Sequence, residues 1–315
     1  MNSLFPKEFS VVLVLLQLVP LVLYETLKAI VLSFVPRRFK HKKDITGQNI
    51  LITGAGSGIG RLLAIEFSKH AVCVVMLDLN KSSLIETEKL LHPSTRTFIY
   101  ECDVSDRNQV YKVAKTIKEE VGKIDILVNN AGIVSGKGIL NIPDEKIVKT
   151  VEVNSLAHFW TCKAFLPDMI QTNKGHIVSM ASLAGIQGLP NLSDYCASKF
   201  AAVGLMESLK LELDAQKLDG IKLTTICPSL ISTGLFEGTK PALTVFMTPE
   251  FVVGEIMKAI LEEINFIMLP RWMYIIILLK WTMPRRAVEK FTENSGLLDF
   301  MDTFRGRSTN DHSEP

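Results

Sequence analysis

A phenol and an ammonium group one helical turn apart can act together as an acid–base pair, and the chain offers that spacing three times. Tyr24/Lys28, Tyr111/Lys115 and Tyr195/Lys199 are each tyrosine-x-x-x-lysine, which places both side chains on one face of a helix. A phenol titrates near 10, so at pH 7 only about one in a thousand is ionised. A neighbouring ammonium favours the phenolate electrostatically. Moving the pKa by roughly three units takes about 4 kcal/mol, which a lysine and a second cation can supply in a dehydrated cleft. Context chooses among the three pairs. Thirteen residues before Tyr24 stands Val11, and thirteen before Tyr111 stands Phe98, neither of them polar; thirteen before Tyr195 stands Ser182. The Ser182 hydroxyl can hold an oxygen atom as charge develops on it, leaving Tyr195 to take the proton. Ser179 is the rival hydroxyl, but it falls inside the apolar run Ile177 to Met180.

A second set of residues has the chemistry of a phosphate cradle. Gly54, Gly58 and Gly60, with Ser57 and Ile59 between them, follow a short apolar run and open a helix-patterned stretch near Leu62. Glycines let the backbone come close to a pyrophosphate, and the helix N-terminus offers N–H groups and a partial positive charge. The spacing is GxxxGxG; the longer GxGxxG register fails because Ile59 stands where glycine is required. Asp78 closes the next apolar run. Its carboxylate can accept hydrogen bonds from adenosine ribose hydroxyls and would repel a 2′-phosphate, favouring NAD over NADP, although Lys81 nearby softens that preference. Asp103 and Val104, and then Asn129, Asn130, Ala131 and Gly132, follow two further runs, at the strand ends where an open α/β sheet binds its ligand.

These residues need a scaffold that brings strand ends together. From Asn49 onward, short apolar runs alternate with charged, helix-patterned stretches, the pattern of a parallel sheet wrapped by helices on both faces. The expected strands are Ile50 to Thr53, Val72 to Leu77, Thr97 to Tyr100, Ile124 to Asn129, His176 to Met180, Leu223 to Cys227 and Phe266 to Leu269. They predict one Rossmann-type, doubly wound α/β domain of about seven strands over residues 49–270.

The ends differ in composition. Phe9 to Tyr24 is almost wholly apolar, and Thr26 to Val35 continues the trend. Sixteen helical residues reach about 24 Å against a hydrocarbon core of roughly 30 Å, so residues 1–36 read as a membrane anchor that either spans or lies in plane. The alternative is a buried core helix. A basic linker, residues 37–48, follows in place of a small-residue cleavage site, which argues for retention and for a catalytic domain facing the cytosol. Residues 271–304, with Trp272, Tyr274, Ile275 to Leu279 and Trp281, predict an apolar helix that is interfacial or packed on the domain or a second subunit. Residues 305–315 read as a disordered tail. With 35 basic and 33 acidic residues the net charge is +2, which gives no field to recruit nucleic acid. Five scattered cysteines fit neither a disulfide framework nor a metal site, so no metal is expected.

The loop Thr53 to Gly60, Asn129 to Gly132, Ser182 and Tyr195-Cys196-Ala197-Ser198-Lys199 together resemble the short-chain dehydrogenase/reductase family over Asn49 to about Pro270. Gly175 to Val178, Asp194 to Ala202 and Thr233 to Gly238 further resemble its 16C group, as does the apolar N-terminus. The resemblance implies hydride transfer with Ser182, Tyr195 and Lys199 as catalytic residues, Lys199 also binding the nicotinamide ribose, and Asn154 holding a water in the proton relay. It also implies cofactor contacts from Pro228 and Thr233. Where the family has Pro-Gly, this chain has Pro228-Ser229, and serine resists backbone angles that glycine allows. The expected reaction is NAD-dependent oxidation of an apolar alcohol, all-trans-retinol to retinal; a 17-beta-hydroxysteroid, a long-chain alcohol, an NADPH-dependent carbonyl reduction and an idle lipid-surface protein stay open. Leu183, Ile186, Leu189, Leu192, Leu230, Leu235, Phe236, Phe246 and Met247 predict an apolar substrate pocket. The expected partners are that substrate, an endoplasmic reticulum membrane or lipid-droplet surface and a second copy of the chain.

Overall fold

The computed structural model describes residues 16–24, 27, 42–71, 73–240 and 246–306. Its chain divides into two compact units, Met1–Lys42 and Lys43–Pro315. In the first, residues 16–24 are helical, with Leu16, Leu21 and Leu23 exposed; the remainder of the expected anchor, apart from Leu27, lies outside the described residues. Among the described residues no helix is long and apolar enough to cross a membrane.

The second unit is built on seven parallel strands: β1 Asn49–Thr53, β2 Cys73–Asp78, β3 Arg96–Glu101, β4 Ile126–Asn129, β5 Gly175–Met180, β6 Ile221–Pro228 and β7 Phe266–Leu269. Their order in the sheet is β3-β2-β1-β4-β5-β6-β7. Every strand expected from the sequence is present; the inner ones are short β-branched or leucine-rich runs that gain by burial on both faces, whereas β3, at the sheet edge, is only partly buried. Alternation assigns the faces. Ile50, Ile52, Val74 and Met76 join one core cluster, while Leu51, Cys73, Val75 and Leu77 join the other, as a side-chain period of two requires.

Helices α1 Gly58–Ser68 and α7 Pro249–Leu261 cover the first face side by side. On the second lie α3 Arg107–Glu120, α5 Ala157–Thr172 and α6 Ser193–Ala215. Two shorter helices, α2 Lys81–Glu88 and α4 Asp144–Val151, complete the crossovers, and a π-helical segment, Glu152–Leu156, joins α4 to α5. Their starts are written locally. Asn80 accepts from Ser83 N–H at 3.1 Å, Asp106 from Asn108 N–H at 2.8 Å, and Thr248 from Phe251 N–H at 3.3 Å with Pro249 next; such caps satisfy otherwise orphaned donors. Because β1 and β4 are neighbours, the crossovers leave β1 in opposite directions and open a crevice at the strand C-termini.

Beyond β7, α8 Met273–Thr282 and α9 Arg285–Asn294 follow. Met273 and Ile277, one turn apart, are buried against Leu183, Val203, Cys227 and Met268. Burial of each contributes about 1.5–3 kcal/mol, enough to hold a ten-residue helix that would be marginal alone. The other side of α8 exposes Ile275, Leu278 and Trp281, and Trp272 is exposed at its start. Arg305 and Gly306, expected to open a disordered tail, both donate backbone N–H groups to the Glu237 carbonyl, at 2.9 and 3.1 Å, so these two residues are held by pairing. Residues 307–315 lie outside the described residues.

His158 on α5 makes one acid-sensitive feature. Its Nδ1 lies 3.1 Å from Ser179 Oγ, its Nε2 has no partner, and burial, assisted by the Lys199 charge, lowers its pKa from 6.5 to about 3. The unfolded chain therefore binds an extra proton between those values, so the stability His158 contributes is full above pH 6.5 and is lost as the pH falls toward 3. We expect His158→Gln to remove about 1.4 kcal/mol per pH unit from the acid slope of unfolding free energy. Parallel slopes for variant and wild type in urea titrations across this range would contradict it.

Candidate active site

The C-terminal ends of the strands surround a cleft of about 320 Å³. At its floor runs the turn between β1 and α1. Gly54 adopts φ +65°, and a Cβ there would stand 2.8 Å from Ala131 Cα; a Cβ on Gly60 would stand 2.1 Å from the Gly54 carbonyl oxygen. Only hydrogen at these positions lets the turn fold this tightly. Arg61 Nε binds the Gly56 carbonyl at 3.0 Å, and Asn130 Nδ2 binds the Thr53 and Gly54 carbonyls at 2.9 and 3.1 Å. Gly54, Ser57 and Ile59 face the cleft, whereas Gly58 (φ +55°) and Gly60 shape the turn from behind.

Asp78, at the end of β2, also faces the cleft. One carboxylate oxygen accepts the Gly56 N–H at 2.9 Å and the other the Asn80 N–H at 3.0 Å, so the carboxylate is aimed by two backbone donors. Asp103, Val104, Asn130, Ala131, Gly132, Pro228 and Thr233 join it on the lining. Asn129 does not: it is buried in β4, where its Oδ1 accepts from Thr161 Oγ1 at 2.7 Å. Sequence reading missed Lys149, which lines the cleft and pairs with Asp103 at 2.7 Å. That bond and those from Ser105 hold the Asp103 carboxyl below its usual value against the effect of burial.

Ser182, Tyr195 and Lys199 meet at the other end of the cleft. Ser182 starts a short 3₁₀ turn, Leu183–Gly185, accepting the Ala184 N–H at 3.1 Å and donating to the Pro228 carbonyl at 3.4 Å. Its rival Ser179 is wholly buried within β5. Tyr195 and Lys199 lie in the first two turns of α6, 4% and 3% exposed. The lysine Nζ donates to the Met180 carbonyl at 2.7 Å and stands 5.7 Å from the centre of the Tyr195 ring. Of the other tyrosine-lysine pairs, Tyr111 is exposed on α3 away from the cleft, and Lys28 lies outside the described residues.

Burial works against the expected acidification of the phenol. It pushes Tyr195 well above its ordinary value, with the Ser182 hydrogen bond opposing, and it lowers Lys199 to about 8. In the protein alone the phenol is therefore held neutral while Lys199, though easier to deprotonate, still carries its charge for the most part at pH 7, and a phenolate requires further positive charge in the cleft. Ser229 proves unstrained. The non-glycine residues with left-handed backbone among those described are Asn173, Asn191, Lys217 and Glu263; Ser229 is not among them, and its N–H donates to the Leu269 carbonyl at 2.8 Å. β7 fixes that position, so the missing glycine does not distort the site.

Asn154 is the one candidate catalytic residue off the cleft. It is fully buried in the π-helical segment. Its Oδ1 accepts the Ile133 N–H at 2.8 Å, while Nδ2 donates to the Ile133 carbonyl at 2.9 Å and to Ser198 Oγ at 3.0 Å. With both amide hydrogens engaged, the side chain has no donor for a relay water. It braces the loop after β4 against the helix turn that carries Lys199.

The short chain dehydrogenase family profile matches residues 48–243, across both the glycine turn and the Ser182–Tyr195–Lys199 group. The chain belongs to this family. The dehydrogenase is 43% identical over 287 residues to human epidermal retinol dehydrogenase 2, covering 90% of this chain and 92% of the relative. It is likewise 43% identical to estradiol 17-beta-dehydrogenase 11 of Pongo abelii, with 86% and 90% covered. Among solved structures, a short chain dehydrogenase/reductase from Burkholderia phymatum in complex with NAD matches with TM-score 0.69 at 25% identity, over 76% of this chain and 94% of that one. The dehydrogenase is thus an oxidoreductase acting on CH–OH donors with a nicotinamide cofactor. Asp78, the bare backbone of the glycine turn and Lys199 line one cleft, and their chemistry fits the adenosine ribose, the pyrophosphate and the nicotinamide ribose of such a cofactor.

Proposed function

We propose that the protein oxidises an apolar alcohol, all-trans-retinol to retinal, with NAD as cofactor. The observation that carries this reading is the meeting of Ser182, Tyr195 and Lys199 in a cleft whose outer lining is Ile231, Leu235 and Phe236. An apolar lining with few convergent polar groups selects an apolar molecule and orients its single hydroxyl. Ser182 holds the alcohol oxygen, and Tyr195, its ring edge-on to Phe236 at 5.7 Å, takes the hydroxyl proton. Lys199, anchored by Met180, holds its charge beside the phenol and reaches the cofactor ribose. NAD, held by the glycine turn, Asp78 and Lys199, would supply the hydride-accepting ring and the additional positive charge that the phenolate needs. Asn154 keeps Ile133 and Ser198 in place, and the proton leaves Tyr195 toward solvent by way of Lys199.

A panel of retinol, steroids and fatty alcohols, offered with NAD or NADP to membranes holding the full chain and read by product chromatography, tests the proposal. Retinal formed with NAD supports it; exclusive turnover of a 17-beta-hydroxysteroid would replace it with the second reading, which the likeness to estradiol 17-beta-dehydrogenase 11 favours. Asp78 supports the choice of NAD, since its carboxylate meets a 2′-phosphate with like charge. Asp78→Ala should lower the ratio of kcat/KM for NAD over NADP by about tenfold or more. A native preference for NADPH would defeat the assignment.

We further infer that the protein works at a cytosol-facing membrane surface of the endoplasmic reticulum or a lipid droplet, as a homodimer. The apolar N-terminal run, the exposed Ile275, Leu278 and Trp281 of α8 and Trp272 at its start support this. Deleting residues 1–40 should weaken retention of the chain in membranes through an alkaline carbonate wash while leaving the catalytic domain folded. Undiminished pelleting would shift the anchor to α8.

A further inference from the structure

The segment from Leu297 to Gly306 lies beyond the stretch that the family profile matches, yet it reaches the catalytic tyrosine. Phe300 and Met301, 2% and 3% exposed, belong to the same buried cluster as Tyr195, Leu192 and Leu230, with Phe236 and Phe304 packed against it. Leu297 and Phe300 also line a smaller pocket of about 40 Å³ that shares Ser182, Tyr195, Ser229 and Phe236 with the main cleft. The segment therefore stands where an alcohol held by Ser182 and Tyr195 would extend its apolar body.

Its attachment is built from both sides. Lys240 N–H donates to the Phe300 carbonyl at 2.8 Å, and Glu237 accepts from Arg305 and Gly306. Lys240 and Asp302 pair at 3.2 Å, and Arg305 and Glu237 at 3.6 Å; both pairs are exposed and add little energy. Two glycines on separate loops make room for it. A Cβ on Gly136 (φ +66°) would stand 2.1 Å from the Phe304 ring, and a Cβ on Gly238 (φ +82°) would stand 2.5 Å from the Thr303 carbonyl oxygen. Loops that leave the volume of a side chain empty for a distant segment point to a fixed part of the site rather than a trailing end.

We propose that Leu297 to Phe304 form the distal wall of the substrate pocket, and that Phe300 sets how long an apolar alcohol the enzyme accepts. This rests on the reading of Tyr195 and Ser182 as the groups that hold the alcohol oxygen. The ring of Phe300 blocks the pocket beyond Leu192 and Leu230, and Phe304, seated on Gly136, keeps that ring from swinging out. Leu297 closes the side next to Phe300. A chain longer than the space between Ser182 and Phe300 meets the wall before its hydroxyl reaches Tyr195.

The test uses the full chain in detergent and the straight-chain primary alcohols from octanol to octadecanol. Affinity is read by displacement of the fluorescent parinaryl alcohol, and turnover with NAD is read in parallel. Phe300→Ala should shift the preferred length to longer alcohols and raise affinity for the longest about tenfold, since each added buried methylene contributes several-fold. Gly136→Ala, which dislodges Phe304 without touching the pocket, should shift the profile in the same direction. Leu298→Ala, on the exposed side of the segment, should leave it unchanged. NAD affinity, measured separately, should stay within about twofold of wild type for all three, because none borders the cofactor turn. A wild-type length profile in both Phe300→Ala and Gly136→Ala, with NAD still bound, overturns the proposal. The reading of Tyr195 fails separately, if Tyr195→Phe turns over alcohols at the wild-type rate.

Discussion

Tyr195→Phe should lower kcat/KM for alcohol oxidation by about a thousandfold while leaving the protein folded and able to bind NAD. The size follows from the role: general acid–base groups contribute about a hundred- to ten-thousandfold, and among the described residues lining the cleft Lys199 is the other titratable side chain beside Tyr195 and Ser182. Phenylalanine keeps the ring, its burial and its edge-on contact with Phe236, so the lost rate reports the hydroxyl alone. The Ser182 hydroxyl keeps its bond to the Pro228 carbonyl, which limits the structural disturbance to about 1 kcal/mol. Stopped-flow or steady-state rates, set beside NAD titrations of the same preparation, check both halves. Near-wild-type rates in a folded variant would refute Tyr195 as the base.

Gly60→Ala should weaken NAD binding about a hundredfold or more and destabilise the domain by about 1–3 kcal/mol. The added methyl would stand 2.1 Å from the Gly54 carbonyl oxygen and 2.6 Å from Asn130 Nδ2. The first of these is backbone, so no rotamer change relieves the overlap; the turn or the start of α1 has to move. Either displacement spoils the close approach of phosphate oxygens to the helix N–H groups. A control at Gly122, where nothing lies within 4 Å of a Cβ and φ is +94°, separates backbone strain from crowding: alanine there should cost stability with no effect on NAD. Isothermal titration and thermal unfolding of the two variants give the comparison, and an unaltered NAD affinity in Gly60→Ala would contradict the assignment of the turn.

The strands and the Ser182–Tyr195–Lys199 group were legible because their signals are local. β-branched runs declare themselves by composition, and the four-residue spacing of Tyr195 and Lys199 sets a helix face whatever the remainder of the fold does. The glycine turn was legible for the same reason. What escaped depends on meetings between distant residues that carry no pattern of their own. Lys149 is an ordinary surface-type lysine until α4 brings it to Asp103. Asn154 suits a relay by position, but its amide is consumed by Ile133 and Ser198. Ser229 looked strained because the family resemblance puts glycine there, and only the β7 carbonyl at Leu269 reveals how the position is held. The lowering of Lys199 and the raising of Tyr195 follow from burial, which spacing does not report.

The attachment of Leu297 to Gly306 has a consequence for the order in which the enzyme becomes complete. Every residue that lines the cofactor crevice precedes Phe300 in the chain, so a polypeptide lacking only the last segment would carry the full set of dinucleotide contacts while its oily chamber still gapes. Chains ended by a nonsense codon between β7 and Leu297 would inherit that half-built condition, with the nucleotide contacts in place and a leaking room for the alcohol.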